Sequence, residues 1–255
     1  KTGRIVTNGL PNRRENNALI RECKIHIRQL DDIKDRTAET TAWAFVDCAP
    51  GNGNVTLHPL APGDCFLALD HHNKPPRELV ENPDALHHIY RAVGATATML
   101  TKALFDFDVP FPPRLASALS YAIITDTQDF SRGAVELDLQ MYSRLFPLTN
   151  QRIISRLRNV TKPREYFRRI HTALGNAFFY RHIAWVYMGP VAGGETVAET
   201  ADFILSCERI TWTMAIGYKD NRLYLSMRSS QSKARCDRAI VKATLPHTGA
   251  VGGHS

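Results

Sequence analysis

Short apolar runs and longer stretches of helical spacing alternate along the chain. Residues 1–10 read as a strand or loop segment, and Asn12 then caps a helix that runs through Cys23. Residues 24–30 alternate Ile25 and Ile27 with His26 and Arg28, the period of a half-exposed strand. Two denser runs follow, Trp43-Ala44-Phe45-Val46 and Cys65-Phe66-Leu67-Ala68-Leu69. Both predict buried strands, the second buried on both faces, and each ends on an acid, Asp47 and Asp70. Residues 48–54 carry two glycines and two asparagines, which predicts a loop with positive φ angles. Lys74-Pro75-Pro76 blocks a helix, and a loop continues through Pro83. Residues 94–105 predict a helix whose core stripe is Met99, Leu100, Ala103 and Leu104. Further helices are expected over 114–124, ending toward Asp126, and over 136–145. Residues 150–179 predict a helical stretch rich in solvated basic residues, among them Arg152, Arg156, Arg158, Lys162, Arg168 and Arg169. Residues 183–187 then form a strand, 196–207 a helix, and 211–218 with 222–227 a strand pair across Lys219-Asp220-Asn221.

The alternation is that of an α/β fold, and 255 residues with 44% hydrophobic content suffice for one large or two ordinary packed cores. There are 32 Lys and Arg against 25 Asp and Glu, a formal charge of +7 that favours an anionic substrate such as phosphate or nucleic acid. The five cysteines are scattered and form no CxxC pair, which argues against a disulfide framework or a zinc–thiolate site and fits a reducing cytoplasm. No apolar stretch reaches the roughly 18 residues of a membrane span, and no signal-peptide pattern is present, so no membrane association is expected.

Asp47, Asp70, His71, His72 and Asp126 each stand at the end of an apolar run. Ligands of open α/β sheets collect outside the carboxyl ends of the strands. If the two acid-terminated strands lie parallel and adjacent, Asp47 and His71 meet above the sheet. Carboxylates with imidazoles and no thiolate suit Mn²⁺ or Mg²⁺ better than structural zinc. Two such ions roughly 3.5–4 Å apart activate water and clamp a phosphoryl group for in-line attack. For any one of these residues a helix cap or a surface histidine is the plainer reading. Five of them at the ends of strands and a helix favour the chemical one.

The sequence resembles the DHH phosphoesterases, whose name-giving triplet stands here as Asp70-His71-His72. Phe45-Val46-Asp47 resembles the family's second acidic motif and Ile124-Thr125-Asp126-Thr127 its fourth. Val251-Gly252-Gly253-His254 is similar to the glycine-rich motif that closes the family's smaller DHH-associated domain, and Leu225-Ser226-Met227-Arg228-Ser229 to its substrate-facing strand. The resemblance implies a parallel-sheet DHH domain over 1–148, a helical linker over 149–178, and a smaller α/β DHH-associated domain over 179–255. It implies two Mn²⁺ ions, with Mg²⁺ as the substitute, held by Asp47, His71 and Asp126, with Asp47 shared. Asp70 would orient the site, and His72 would lie near the scissile phosphate or leaving group. Arg228, Ser226, Gly252, Gly253 and His254 would contact substrate. The family's first strand, with a histidine or asparagine and two aspartates, has no counterpart here, and Asp31 and Asp32 follow a polar stretch instead of a buried strand. The resemblance therefore implies a longer protein, with that strand before Lys1 and another after Ser255.

The implied activity is hydrolysis of phosphodiester or phosphomonoester bonds in very short RNA or small nucleotides, such as linear dinucleotides or 3′-phosphoadenosine phosphates. A single-strand exonuclease of the same family is a second enzyme reading, though no oligonucleotide-binding barrel is visible in the sequence. A non-catalytic nucleotide-binding module of the same fold is the reading from another class. A homodimer and further domains are open.

Overall fold

The computed structural model describes residues 3–7, 14–29, 32, 43–48, 65–72, 87–90, 92–231, 234 and 236. They divide into two compact units, Lys1–Val160 and Thr161–Ser255.

The first unit opens with β1 (Ile5–Thr7), α1 (Arg14–Cys23) and β2 (Ile27–Gln29), and the two strands pair in parallel. β3 (Trp43–Val46), β4 (Cys65–Asp70) and β5 (His87–Tyr90) form a second, parallel sheet with β4 in the centre. The α/β architecture with parallel strands is the expected one. β4, however, is not buried on both faces: Ala68 and Asp70 are wholly buried, whereas Leu67 and Leu69 are half-buried. Alternation along the pleat sets the pattern, so the acid that ends the apolar run points into the packed face.

A helical layer follows: α2 (Thr96–Asp106), α3 (Pro113–Asp126), α4 (Glu136–Leu145) and α5 (Gln151–Arg158). Pro113 at the first position of α3 lacks only an N–H that would have had no helical partner. Asn150 caps α5 through Oδ1, which accepts from the amides of Arg152 at 3.0 Å and Ile153 at 3.4 Å. Ala95, Ala97, Ala116, Leu119, Ile123, Met141 and Leu145 make the main core, and Ala18, Tyr121, Ile124 and Leu157 join α1, α3 and α5 in a second one. The core stripe of α2 differs from the expected one. Thr96, Ala97, Thr98, Met99 and Thr101 are buried, and Ala103 is exposed. The hydroxyls of Thr98 and Thr101 are satisfied inside, that of Thr101 by the Ala97 carbonyl at 2.7 Å, and satisfied polar groups can be buried at little cost.

The second unit begins with α6 (Arg164–Gly175), followed by β6 (Ala177–Tyr180), β7 (Ile183–Pro190), α7 (Gly194–Leu205), β8 (Trp212–Lys219) and β9 (Arg222–Ser229). The sheet order is β6-β7-β8-β9; β7 and β8 are parallel, connected by α7, and the outer pairs are antiparallel. Its core is Ala184, Val186 and Ala215 against Val197, Ala201 and Ile204 of α7. Asp220 and Asn221 at φ 48° and 59° make the two-residue turn that matches strand twist, as their side chains predict.

The helical expectation over 150–179 is corrected in two places. Pro163, without an N–H, separates α5 from α6. Ala177–Tyr180 is a strand: its aromatic run favours an extended backbone, and it pairs along β7 with the Phe178 and Trp185 rings 5.6 Å apart. Several of the basic residues expected to be solvated are ion-paired instead. Arg156 meets Glu22 at 2.9 Å, and Lys162 and Arg169 share Glu199 at 2.9 and 3.1 Å.

Candidate metal centre

The parallel register that sets Val46 beside Leu69 continues one residue further, where the Asp47 amide donates to the Leu69 carbonyl at 2.8 Å. Asp47 then turns into the left-handed region at φ 62°, a conformation that aspartate tolerates better than most residues. Its carboxylate stands over the end of β4, about half-exposed. Asp47 Oδ1 lies 3.5 Å from His71 Nε2 and 3.9 Å from His72 Nδ1. One potential ligand atom each from Asp47, His71 and His72 falls within 4.8 Å of the others.

The hydrogen bonds around this cluster decide which atoms face it. His71 Nδ1 is 3.1 Å from the Val93 carbonyl, which can only accept, so Nδ1 is the donor of that bond and Nε2 is the ring nitrogen turned toward Asp47. Two electron-rich atoms converging at this distance make a cradle for a cation, and the outer-nitrogen bond to a carbonyl is how metal-binding histidines are oriented. The donor set of one carboxylate and two imidazoles fits a divalent metal ion. Thr96 Oγ1 donates to Asp47 Oδ1 at 2.7 Å and fixes the carboxylate rotamer.

Asp70 does not reach the exposed cluster. It is 0% exposed, and its Oδ1 accepts from the His72 amide at 3.0 Å and from His72 Nδ1 at 2.7 Å. Among the described residues Oδ2 has no hydrogen-bond partner. Asp70 thus holds the His72 ring from beneath. Asp126, the last residue of α3, is half-buried and outside the 4.8 Å set, but it lies within electrostatic range. Burial raises its pKa above the ordinary 3.8, and repulsion from Asp47 raises it further, against the pull of His71, His72 and Arg132.

That shift has a consequence for the metal-free protein. A carboxyl whose folded pKa is raised binds its proton more readily folded than unfolded. Its destabilising contribution is therefore present at neutral pH and fades as pH falls from the raised value to 3.8. Asp126→Asn is expected to raise Tm at pH 7 by a few degrees without metal, with the gain shrinking as pH is lowered toward 4. Thermal melts across that range check it, and a Tm gain that grows on acidification would contradict the cause.

In the second unit, Arg228 and Ser226 stand on alternate positions of β9 and so on one face. Arg228 Nε donates to Asp202 Oδ1 of α7 at 2.7 Å and Nη1 to the Met227 carbonyl at 3.1 Å. Ser226 is buried, and its Oγ has no hydrogen-bond partner among the described residues. Gly252, Gly253 and His254 lie outside the described residues. Sequence reading did not single out Val93, Gly94, Thr96 or Asp138, which the turn before α2 brings to the centre or its support. The available signal was a glycine followed closely by a threonine at a helix start.

No protein-family model matches the chain. It is 26% identical over 230 residues to an uncharacterized protein from Methanocaldococcus jannaschii, an alignment covering 90% of this chain and 46% of that protein. The chain thus spans about half the length of that relative. Its structure is similar to the crystal structure of an exopolyphosphatase-related protein from Bacteroides fragilis, with a TM-score of 0.74 and 14% identity over 94% of this chain and 73% of that one. At that identity the likeness is one of fold. Among the described residues no helix is long and apolar enough to cross a membrane.

Proposed function

We propose that the chain is part of a DHH-type phosphoesterase that hydrolyses very short RNA or small nucleotides with Mn²⁺, Mg²⁺ serving less well. The observation that carries this reading is the convergence of Asp47 Oδ1 and His71 Nε2 beside His72, above two parallel strands. In this reading Asp47, His71 and Asp126 would hold the ions. A divalent pair supplies positive charge against the charge that builds on the phosphoryl oxygens and makes water more acidic. Thr96 keeps the Asp47 carboxylate in one rotamer. Asp70 fixes His72 through Nδ1, so that the ring stands oriented to give a proton to the leaving oxygen.

Arg228 of the second unit pairs with a nucleotide phosphate; its Nε bond to Asp202 sets the plane of the guanidinium. Arg228→Lys is expected to raise KM for a dinucleotide about tenfold, the scale of one lost charge-assisted bond, and to leave Mn²⁺ affinity unchanged. Isothermal titration with Mn²⁺ alone, set beside steady-state kinetics, separates the two, and equal losses in both would count against this placement. Ser226, expected from the sequence as a weaker contact, is buried with its Oγ away from solvent and is not a contact in this reading, whose further substrate residues are Gly252, Gly253 and His254.

A second reading, a module that binds a nucleotide without cleaving it, is favoured by the described cluster, which holds a single carboxylate. Incubation with Mn²⁺ and a labelled linear dinucleotide decides between the two. Turnover supports the phosphoesterase, binding without turnover supports the module, and neither would defeat both.

A further inference from the structure

We propose that Asp138, which touches neither metal ligand nor substrate, is the positioning residue that sets the Asp47–His71–His72 centre through the turn leading into α2. The proposal rests on the metal-site reading above.

Asp138 is the third residue of α4 and is wholly buried. An acid at this position commonly reaches back to the amide at the helix start, and here Oδ2 accepts from Val135 N at 2.8 Å. That local task needs no burial. The same Oδ2 also accepts from the amide of Gly94 at 2.8 Å, 44 residues away in sequence, while Oδ1 accepts from the Thr98 hydroxyl. One carboxylate thus grips both ends of the segment 94–98.

The contacts of this segment and of Val93 are divided between two sides. Gly94 and Thr98 are held by Asp138. Val93 accepts from His71 Nδ1 at 3.1 Å, and Thr96 donates to Asp47 Oδ1 at 2.7 Å. The first of these fixes which imidazole nitrogen presents a lone pair, and the second fixes the carboxylate. Gly94 permits the arrangement, because a Cβ there would stand 2.4 Å from Thr127 Cγ2 and 2.8 Å from Asp138 Oδ2. Thr127 directly follows Asp126, so the same close approach registers the end of α3 against the turn. A buried carboxylate on α4 therefore decides the aim of ligands that come from β3 and β4.

The test compares Asp138→Ala, Asp138→Asn and Leu145→Ala in the whole chain. Asparagine can place its oxygen against both backbone amides and its NH₂ against Thr98 Oγ1, which can turn to accept. Leu145→Ala removes apolar volume from the buried face of the same helix, away from the turn. The Mn²⁺ dissociation constant, measured with the metal alone, is expected to rise about 10–100-fold in Asp138→Ala. Asp138→Asn should stay near wild type, and Leu145→Ala should lower Tm with little change in Mn²⁺ affinity. Wild-type affinity in Asp138→Ala, or an equal loss in Leu145→Ala, would overturn the proposal. A second readout needs no metal: ¹⁵N shifts of the His71 ring should report a single Nδ1–H tautomer in the wild type and a mixture in Asp138→Ala. An unchanged tautomer overturns the proposal. If the wild type takes up no Mn²⁺, the metal reading fails and the ¹⁵N shifts alone decide the role of Asp138. Should Asp138→Ala fail to fold, Thr98→Val removes one of the three donors and is expected to shift both readouts the same way, less far; no shift would overturn it.

Discussion

Asp47→Asn is expected to lower kcat/KM for a dinucleotide about 10³-fold, equivalent to about 4 kcal/mol of transition-state stabilisation. The substitution isolates the ligand from the fold. Asparagine keeps the side-chain shape, tolerates the left-handed backbone at φ 62°, and can still accept from Thr96 Oγ1. What it lacks is the negative charge on the oxygen that lies 3.5 and 3.9 Å from the two imidazoles. Because Asp47 is half-exposed at the end of β3, Tm should move little. Mn²⁺ affinity and kinetics should fall together if Asp47 is the metal ligand proposed above. A twofold change in kcat/KM beside an unaltered melt would mean that Asp47 holds no catalytic ion.

Gly94→Ala should destabilise the first unit by about 1–3 kcal/mol, the range for forcing one methyl into a packed site, and lower its Tm by several degrees. The added Cβ cannot be relieved by a flexible side chain. Its nearest neighbour, Thr127 Cγ2, belongs to a wholly buried residue whose hydroxyl bonds to the Ile123 carbonyl at 2.6 Å. The next, Asp138 Oδ2, is held by two backbone amides. The turn must therefore shift, and Val93 and Thr96 shift with it. Loss of Mn²⁺ affinity is expected to accompany the loss of stability, whereas a core truncation such as Ile123→Ala should cost stability alone. Stability unchanged within error in Gly94→Ala would show that the turn has room the structure does not provide.

Local pattern carried much of this molecule. The apolar runs ending at Asp47 and Asp70 are strands because continuous β-favouring residues have one economical conformation, and the chain after each run exposes whatever follows. The hairpin between β8 and β9 was legible for a similar reason: Asp220 and Asn221 are among the few residues that accept two successive positive φ angles. Residues 150–179 misled because basic side chains satisfy a helical pattern whatever the backbone does, and only Pro163 and the aromatic run of β6 marked the breaks.

The sequence by itself determined most of the element types, the α/β class, and the placing of Asp47, Asp70, His71, His72 and Asp126 where strands and a helix end, because periodicity and end signals act over a few neighbouring residues. Tertiary structure alone decided that Asp70 is buried beneath His72 and not exposed beside Asp47, that threonines line the core face of α2, and that Asp138 grips a turn 44 residues away. Those outcomes depend on which hydroxyls, amides and carboxylates find partners once distant segments pack. Burying a polar group is tolerable only when a partner is present, and that partner has no fixed spacing in the chain.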